Sequence, residues 1–155
     1  MYWRLARKQF DQQKGDVNRQ AFHRIIGDGP PPGLLAYQGD EPVGWVCVGP
    51  RDDFPVLERS RVLKRLDDQP VWSVVCFFIA KKVRGQGVSK ALLHGAIKFA
   101  KRQGARIIEG YPTPARYGRL PDAFVYTGLE SVFAAAGFTE AIRRGTGRAI
   151  WRCQL

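Results

Sequence analysis

Val74-Val75-Cys76-Phe77-Phe78-Ile79-Ala80-Lys81-Lys82-Val83-Arg84-Gly85-Gln86-Gly87-Val88-Ser89-Lys90-Ala91-Leu92-Leu93 is the stretch on which the fold of this chain turns. It reads as a buried strand, a basic glycine turn and then an amphipathic helix. That order builds an anion site from backbone alone. Glycine lets the chain come close to a ligand, and the first N–H groups of a helix have no partner inside it. Those groups, with the positive end of the helix dipole, favour a phosphate. The expectation is a pyrophosphate-bearing ligand on residues 84–89.

Spacing selects among the ligands that use such a turn. A mononucleotide P-loop needs G-x-x-x-x-G-K-S/T, a spacing this sequence lacks. A dinucleotide fingerprint needs G-x-G-x-x-G. Gly85 and Gly87 fit its first two places, but the third falls on Lys90, where helix–strand packing wants no bulk. Glu109 stands about where the ribose-binding acid would be, so this reading stays open, as does a plain strand-to-helix turn with incidental glycines.

The stretch most resembles the acyl-CoA loop of the GNAT superfamily of N-acyltransferases: Arg or Gln, two residues, Gly, one residue, then Gly or Ala. Arg84, Gly87 and Ser89 occupy those three places, and Ser89, although not Gly or Ala, is small enough to leave the turn intact. The resemblance covers nearly the whole chain. It implies an α/β fold, with a central mixed, mostly antiparallel sheet flanked by helices, as one N-acetyltransferase domain over residues 1–155. Ala135-Ala136-Gly137-Phe138 is similar to the family's last helix running into its sixth strand. The family normally opens with a strand and a helix, whereas Met1-Tyr2-Trp3-Arg4 here leads almost directly to the second helix. Either the true start lies upstream or this version lacks an edge strand. An uncovered edge invites pairing with another chain, so a version without it is expected to form a homodimer or aggregate, and a concentration-independent monomer by light scattering would contradict that.

Composition bounds the alternatives. With 45% apolar and 25% charged residues in 155, the chain has the make-up of a soluble globular domain able to bury roughly two-thirds of its unfolded surface. No 18-residue apolar stretch and no signal-peptide run occur, so no membrane partner and a cytoplasmic location are expected. Cys47, Cys76 and Cys153 are odd in number, far apart and without a C-x-x-C, which argues against a disulfide framework and against a metal site. Each reads as a buried thiol. The net charge of +11 raises nucleic acid as a partner, but the basic residues are dispersed without aromatic interleaving, which disfavours it. Lys81, Lys82, Arg84 and Lys90 do crowd the turn and would steer a phosphorylated cofactor.

Elsewhere, Asp16 caps a helix carrying Val17, Ala21 and Ile25 and ended by Gly27. Leu34–Gln38 and Pro42–Val48 form a hairpin. Residues 49–70 and 112–126 are long irregular loops, and Val71–Ile79 is a central strand. The 88–102 helix buries Val88, Ala91, Leu92, Gly95, Ala96, Phe99 and Ala100, with Lys90, His94, Lys98 and Lys101 wet. His23 is read as solvated too. A strand over 106–111, a helix over 128–136 and a hairpin of 138–143 with 148–153 follow.

The resemblance implies acetyl-CoA (coenzyme A) as cofactor, with pantetheine along Phe77, Phe78 and Ile79, and pyrophosphate on Arg84, Gly85, Gln86, Gly87, Val88 and Ser89. The 74–79 strand's N–H groups would meet the thioester carbonyl, where charge grows in the transition state. The 106–111 strand must then splay away from it. Glu109 is the first candidate base, an ion-pair role with Arg84 or Arg106 being its alternative; Asp52, Asp53 and Glu58 are weaker candidates. Many members carry Tyr where this chain has Phe133, which contacts the cofactor but cannot donate a proton. Tyr111 or Tyr126 would have to serve as acid. Cys76 has no nearby His to make it a nucleophile. The expected function is N-acetyl transfer from acetyl-CoA to a primary amine of a small molecule or protein, by direct attack in a ternary complex. The competing readings are a non-catalytic acyl-CoA-binding module and a nucleic-acid-binding module.

Overall fold

The apolar run ahead of the glycine turn forms β3 (Trp72–Ile79), inside a six-stranded sheet, in a computed structural model that describes residues 1–114, 121 and 124–155. Before it come α1 (Arg7–Gln12), α2 (Asp16–Asp28), β1 (Gly33–Gln38), β2 (Glu41–Pro50) and α3 (Pro55–Glu58). After it come α4 (Val88–Arg102), β4 (Ile107–Gly110), α5 (Glu130–Ala135), β5 (Thr139–Ile142) and β6 (Ile150–Gln154). The strand order is β1-β2-β3-β4-β6-β5, with β3 and β4 parallel and the other pairs antiparallel. This is the mixed, mostly antiparallel sheet expected from the sequence. Among the described residues no strand covers the outer edge of β1, where Leu35 and Tyr37 are exposed.

The expected helix of residues 88–102 forms over that range, but its buried face is shifted. Leu93 is fully buried and Ala91 is exposed. In α2 the expected apolar stripe is not fully buried: Val17 is exposed and Ala21 and Ile25 are half-buried. Three elements were not foreseen. Arg7–Gln12 is helical, and the 49–70 loop holds a 3₁₀ turn at Arg51–Asp53 followed by α3, which opens on Pro55, a residue suited to a first helical turn.

Side chains alternate across the sheet. Val46, Val48 and Val74 pack under α4 with Phe77, Leu93 and Phe133, while Cys47, Val75 and Tyr111 face a second cluster with Trp3, Phe54 and Leu57. The register shifts at both ends of the sheet, between Ala36 and Tyr37 and between Glu140 and Ile142, and once in the centre. Cys47 pairs with Cys76, but the next residue, Val48, pairs with Val74, so Val75 and Cys76 together oppose one residue of β2. This β-bulge turns Val75 and Cys76 to the same side of the sheet and bends β3. Pairing with β4 covers Trp72↔Ile108, Ser73↔Glu109 and Val74↔Gly110, and stops there. The two strands diverge from the bulge onward.

Phe133 closes the root of that divergence. It is fully buried and stacks edge-on with Phe77 and Phe138, at 6.2 and 4.9 Å between ring centroids. A Cβ on Gly110 would lie 1.9 Å from the Phe133 ring, so only glycine permits this contact. Gly110→Ala should therefore cost about 1–3 kcal/mol as overpacking, lowering Tm by roughly 2–12 °C, with part regained in Gly110→Ala/Phe133→Leu. Thermal unfolding followed by circular dichroism checks this, and an unchanged Tm for the single variant would mean the ring is not held there.

Candidate active site

The glycine turn is built as its sequence predicts. Residues Lys81–Val83 make a 3₁₀ turn, and Gly85 and Gly87 adopt φ of +74° and +82°. Gly87 is the N-cap of α4 and its carbonyl receives the Ala91 N–H, while no side chain caps the first turn. A Cβ on Gly85 or Gly87 would meet no atom within 4 Å, so the space over the turn is open. Arg84 is anchored by Nε donating to the Ile79 carbonyl at 3.0 Å, and Gln86 Nε2 donates to the Lys82 carbonyl at 3.1 Å. Val88 and Ser89 are half-buried in the first turn of α4. Lys82 is held by Glu41, which leaves Lys81 and Lys90 as exposed cations flanking the turn.

Along β3 the predicted residues separate by face. Phe77 is buried beside Phe133, Ile79 half-buried, and the Phe78 ring is 61% exposed. The expected cleft between β3 and the following strand exists as a divergence, but it is spanned at the level of Phe77. The Phe77 N–H donates to the Tyr126 carbonyl at 2.6 Å, and the Thr113 N–H donates to the Gly128 carbonyl at 2.8 Å. Segment 126–129 thus bridges the gap, and Gly128 touches both Phe133 and Phe77.

Glu109 and Tyr111 lie elsewhere, in a sealed ionic cluster with both residues fully buried. Glu109 Oε2 accepts from Arg51 Nη1 at 2.7 Å and from the Tyr111 hydroxyl at 2.9 Å, and Oε1 accepts from Arg152 Nε at 2.8 Å. Ser73 Oγ lies 2.8 Å from the same hydroxyl, and Arg51 also reaches Glu58 and the Leu63 carbonyl. Burial, with the Glu109 charge beside it, pushes the Tyr111 phenol well above its ordinary pKa. The ion-pair partners of Glu109 are Arg51 and Arg152, not Arg84 or Arg106. The sequence reading missed both: a single Arg after Pro50 and one in an alternating strand carry no periodic or motif signal.

On the bulge face lies a cavity of about 540 Å³ walled by Trp3, Phe22, Trp45, Phe54, Cys76 and Tyr126. It adjoins Phe77 through its neighbour Cys76 and its bonded partner Tyr126. Cys47 and Cys76 stand opposite each other on this wall; Cys76, as hydrogen-bond partner, pushes the Cys47 thiol up while Cys47 lowers that of Cys76. Cys47 is buried as expected, whereas Cys76 and Cys153 are half-buried. Asp52 and Asp53 are exposed on the 3₁₀ turn, and His23 and His94 are solvated. Among the described residues no group of three or more His, Cys, Asp and Glu could hold a metal, and no helix is long and apolar enough to cross a membrane.

Removing the Glu109 charge takes the buried counter-ion from Arg51 and from half-buried Arg152, leaving them the more exposed Glu58 and Asp67. Glu109→Gln should cost about 3–5 kcal/mol, a Tm drop of roughly 6–20 °C. A wild-type Tm with a lost acidic limb in the pH–rate profile would instead mark Glu109 as a base.

Residues 1–114 match the family model described as the Acetyltransferase (GNAT) family. Three solved structures show the same fold at low identity. A putative GNAT acetyltransferase from Desulfovibrio desulfuricans is 16% identical, with TM-score 0.54, over 97% of this chain and 83% of that one. A ribosomal-protein-alanine N-acetyltransferase from Brucella melitensis is 18% identical, with TM-score 0.58, over 91% and 80%. The PaiA N-acetyltransferase from Thermoplasma acidophilum, in complex with coenzyme A, is 12% identical, with TM-score 0.55, over 97% and 80%. No curated protein matches the chain in sequence. With its glycine turn, its bulged and diverging central strands and a family match over most of its length, this chain belongs to the GNAT family of acetyltransferases.

Proposed function

We propose that the protein transfers an acetyl group from acetyl-CoA to a primary amine by direct attack within a ternary complex. The observation that carries this reading is the divergence of β3 from β4 at the bulge, immediately before a helix whose first turn is uncapped and opens on a left-handed glycine. The pyrophosphate would lie over Arg84–Ser89, against the N–H groups of the α4 first turn. Pantetheine would run along the free side of Phe77–Ile79. The amine lone pair attacks the thioester carbonyl carbon, the C–N bond forms, the C–S bond breaks, and the amine's proton leaves as coenzyme A departs as its thiol.

The Phe77 N–H is the oxyanion donor in this scheme, so the Tyr126 carbonyl must give way to the thioester oxygen. Glu109 and Tyr111 hold structure, since their polar atoms are committed to the buried cluster and neither borders the cavity. Tyr126, on the cavity wall, is the remaining tyrosine candidate for the acid. A second reading, an acyl-CoA-binding module without turnover, draws on the same bond between Phe77 and Tyr126: the donor is already satisfied.

Thermal unfolding with acetyl-CoA, coenzyme A, NADH and NADPH tests the cofactor. At a hundredfold over Kd the right ligand adds about 2.7 kcal/mol, a shift of roughly 5–10 °C, expected for the coenzyme A forms only. Amine-dependent release of coenzyme A then separates enzyme from binding module. Gly87→Ala should lower the ligand-free stability by about 1–2 kcal/mol for a left-handed alanine, and cut coenzyme A affinity by at least about tenfold, because its Cβ enters space that only the ligand would fill. Undiminished affinity by calorimetry would remove the turn from the site.

A further inference from the structure

The cavity on the bulge face has a lining that selects a chemical class. Its walls are aromatic: Phe22 meets Trp45 edge-on at 6.1 Å, and Trp3 lies 6.4 Å from Tyr126. Its charged lining side chains among those described are Arg4 and Arg7, and no carboxylate or imidazole is among them. Two of the four buried side-chain atoms without a hydrogen-bond partner, among the described residues, are in residues of this lining: Trp3 Nε1 and Arg4 Nε. Trp3 is 8% exposed and the Arg4 side chain 13%. Arg4, the stronger anchor because Trp3 also borders a neighbouring cavity of about 420 Å³, is fixed in place. Its guanidinium lies 4.8 Å over the Phe54 ring, and both of its contacts to Asp53 use Nη1. Asp53 therefore leaves the Nε and Nη2 edge of the fork unused.

Orphaned buried donors are costly unless an acceptor arrives. The charged side chains of the lining are guanidiniums and no carboxylate shares the wall with them, so the complementary group is an anion, and a guanidinium and a carboxylate make the stronger, charge-assisted bonds. The remaining wall is apolar and aromatic and suits a ring or branched alkyl body. We propose that the cavity is the acceptor site of the transfer reaction, on whose reading this inference rests, and that it takes a free α-amino acid with a large apolar or aromatic side chain. Its carboxylate binds the Arg4 guanidinium, its side chain lies among Phe22, Trp45 and Phe54, and its α-amine faces Cys76 and Tyr126. There it reaches the thioester carbonyl held at the Phe77 N–H. The α-amine of a free amino acid is also about one pH unit more acidic than a lysine-type amine, so a larger share is neutral without a side-chain base. Polyamines and other polycations find no counter-charge in this lining.

Calorimetry on the full chain saturated with coenzyme A decides the pocket. L-phenylalanine and L-tryptophan should bind at least about tenfold more tightly than phenylethylamine, tryptamine and phenylalaninamide, and Arg4→Gln should reduce that ratio to below about threefold. Equal or tighter binding of the decarboxylated amines, or no binding of either set, overturns the assignment, and the wild-type comparison alone suffices should the variant not fold. Coenzyme A release from acetyl-CoA is measured separately. An amino acid that binds with the predicted preference yet is not acetylated upholds the pocket and overturns the transfer reading.

Discussion

Between Cys47 and Val48 the central ladder loses its one-to-one pairing, and the shape of the rest of the molecule follows from that mismatch. An extra residue in one strand of an antiparallel pair raises local twist and bends that strand away from its other neighbour. The consequence is visible in the next ladder, where parallel pairing of β3 with β4 ends at Val74. Beyond that point the β3 N–H groups on this side must find partners outside the sheet, because a buried donor without one is costly. Phe77 finds the Tyr126 carbonyl. A strand that cannot finish its own sheet can bind whatever carries a carbonyl, and a thioester is one such group.

Beside the divergence, the sheet is held by charge rather than by apolar contact alone. Glu109 faces Ser73 across the last paired rungs, with Arg51 arriving from the 3₁₀ turn and Arg152 from β6. The cluster ties four separate segments to one carboxylate. Such buried clusters contribute little net stability over an apolar equivalent, yet losing one member leaves an uncompensated charge. Its effect here is positional: Arg51 and its bond to Glu58 fix the turn that carries Asp53, and Asp53 in turn orients Arg4. The ion cluster and the cavity lie on the same face of the sheet and are linked through three residues of one short turn.

The local features of the fold were readable in the sequence because they are local. Gly85 and Gly87 announce positive φ, and the 88–102 run carries its own period with ends where the structure has them. The hairpin joined at Gly39-Asp40 closes with Gln38 opposite Glu41, as its turn residues demand. What was not readable depends on distant partners. The bulge at Val75 has no composition signal, since any apolar residue can be the extra one. Leu93 is buried because β-strand residues reach it from one side, which no single-helix pattern reports. Glu109 looked like a base from its place at a strand end, and only the arrival of Arg51, 58 positions earlier, and Arg152, 43 later, reveals a sealed counter-ion.

Phe133 shows how one position can exchange a chemical role for a packing one. Its ring lies where Gly110, Gly128 and Phe77 converge, and the missing Cβ of Gly110 makes room for it. A hydroxyl there would enter an apolar centre and need a partner at appreciable cost. The departing group needs little help: a thiol has a pKa near 8.5, so its thiolate leaves readily and can be protonated by water afterwards. General acid assistance is worth on the order of 10²–10⁴-fold, while orientation of the reactants contributes more. In the proposed reaction such a site would rely on holding amine and thioester together, with Phe77 as the donor and the aromatic cavity giving the alignment. Proton transfer would then fall to Tyr126 or to solvent, with the backbone of a bulged strand as the main contribution to the chemistry.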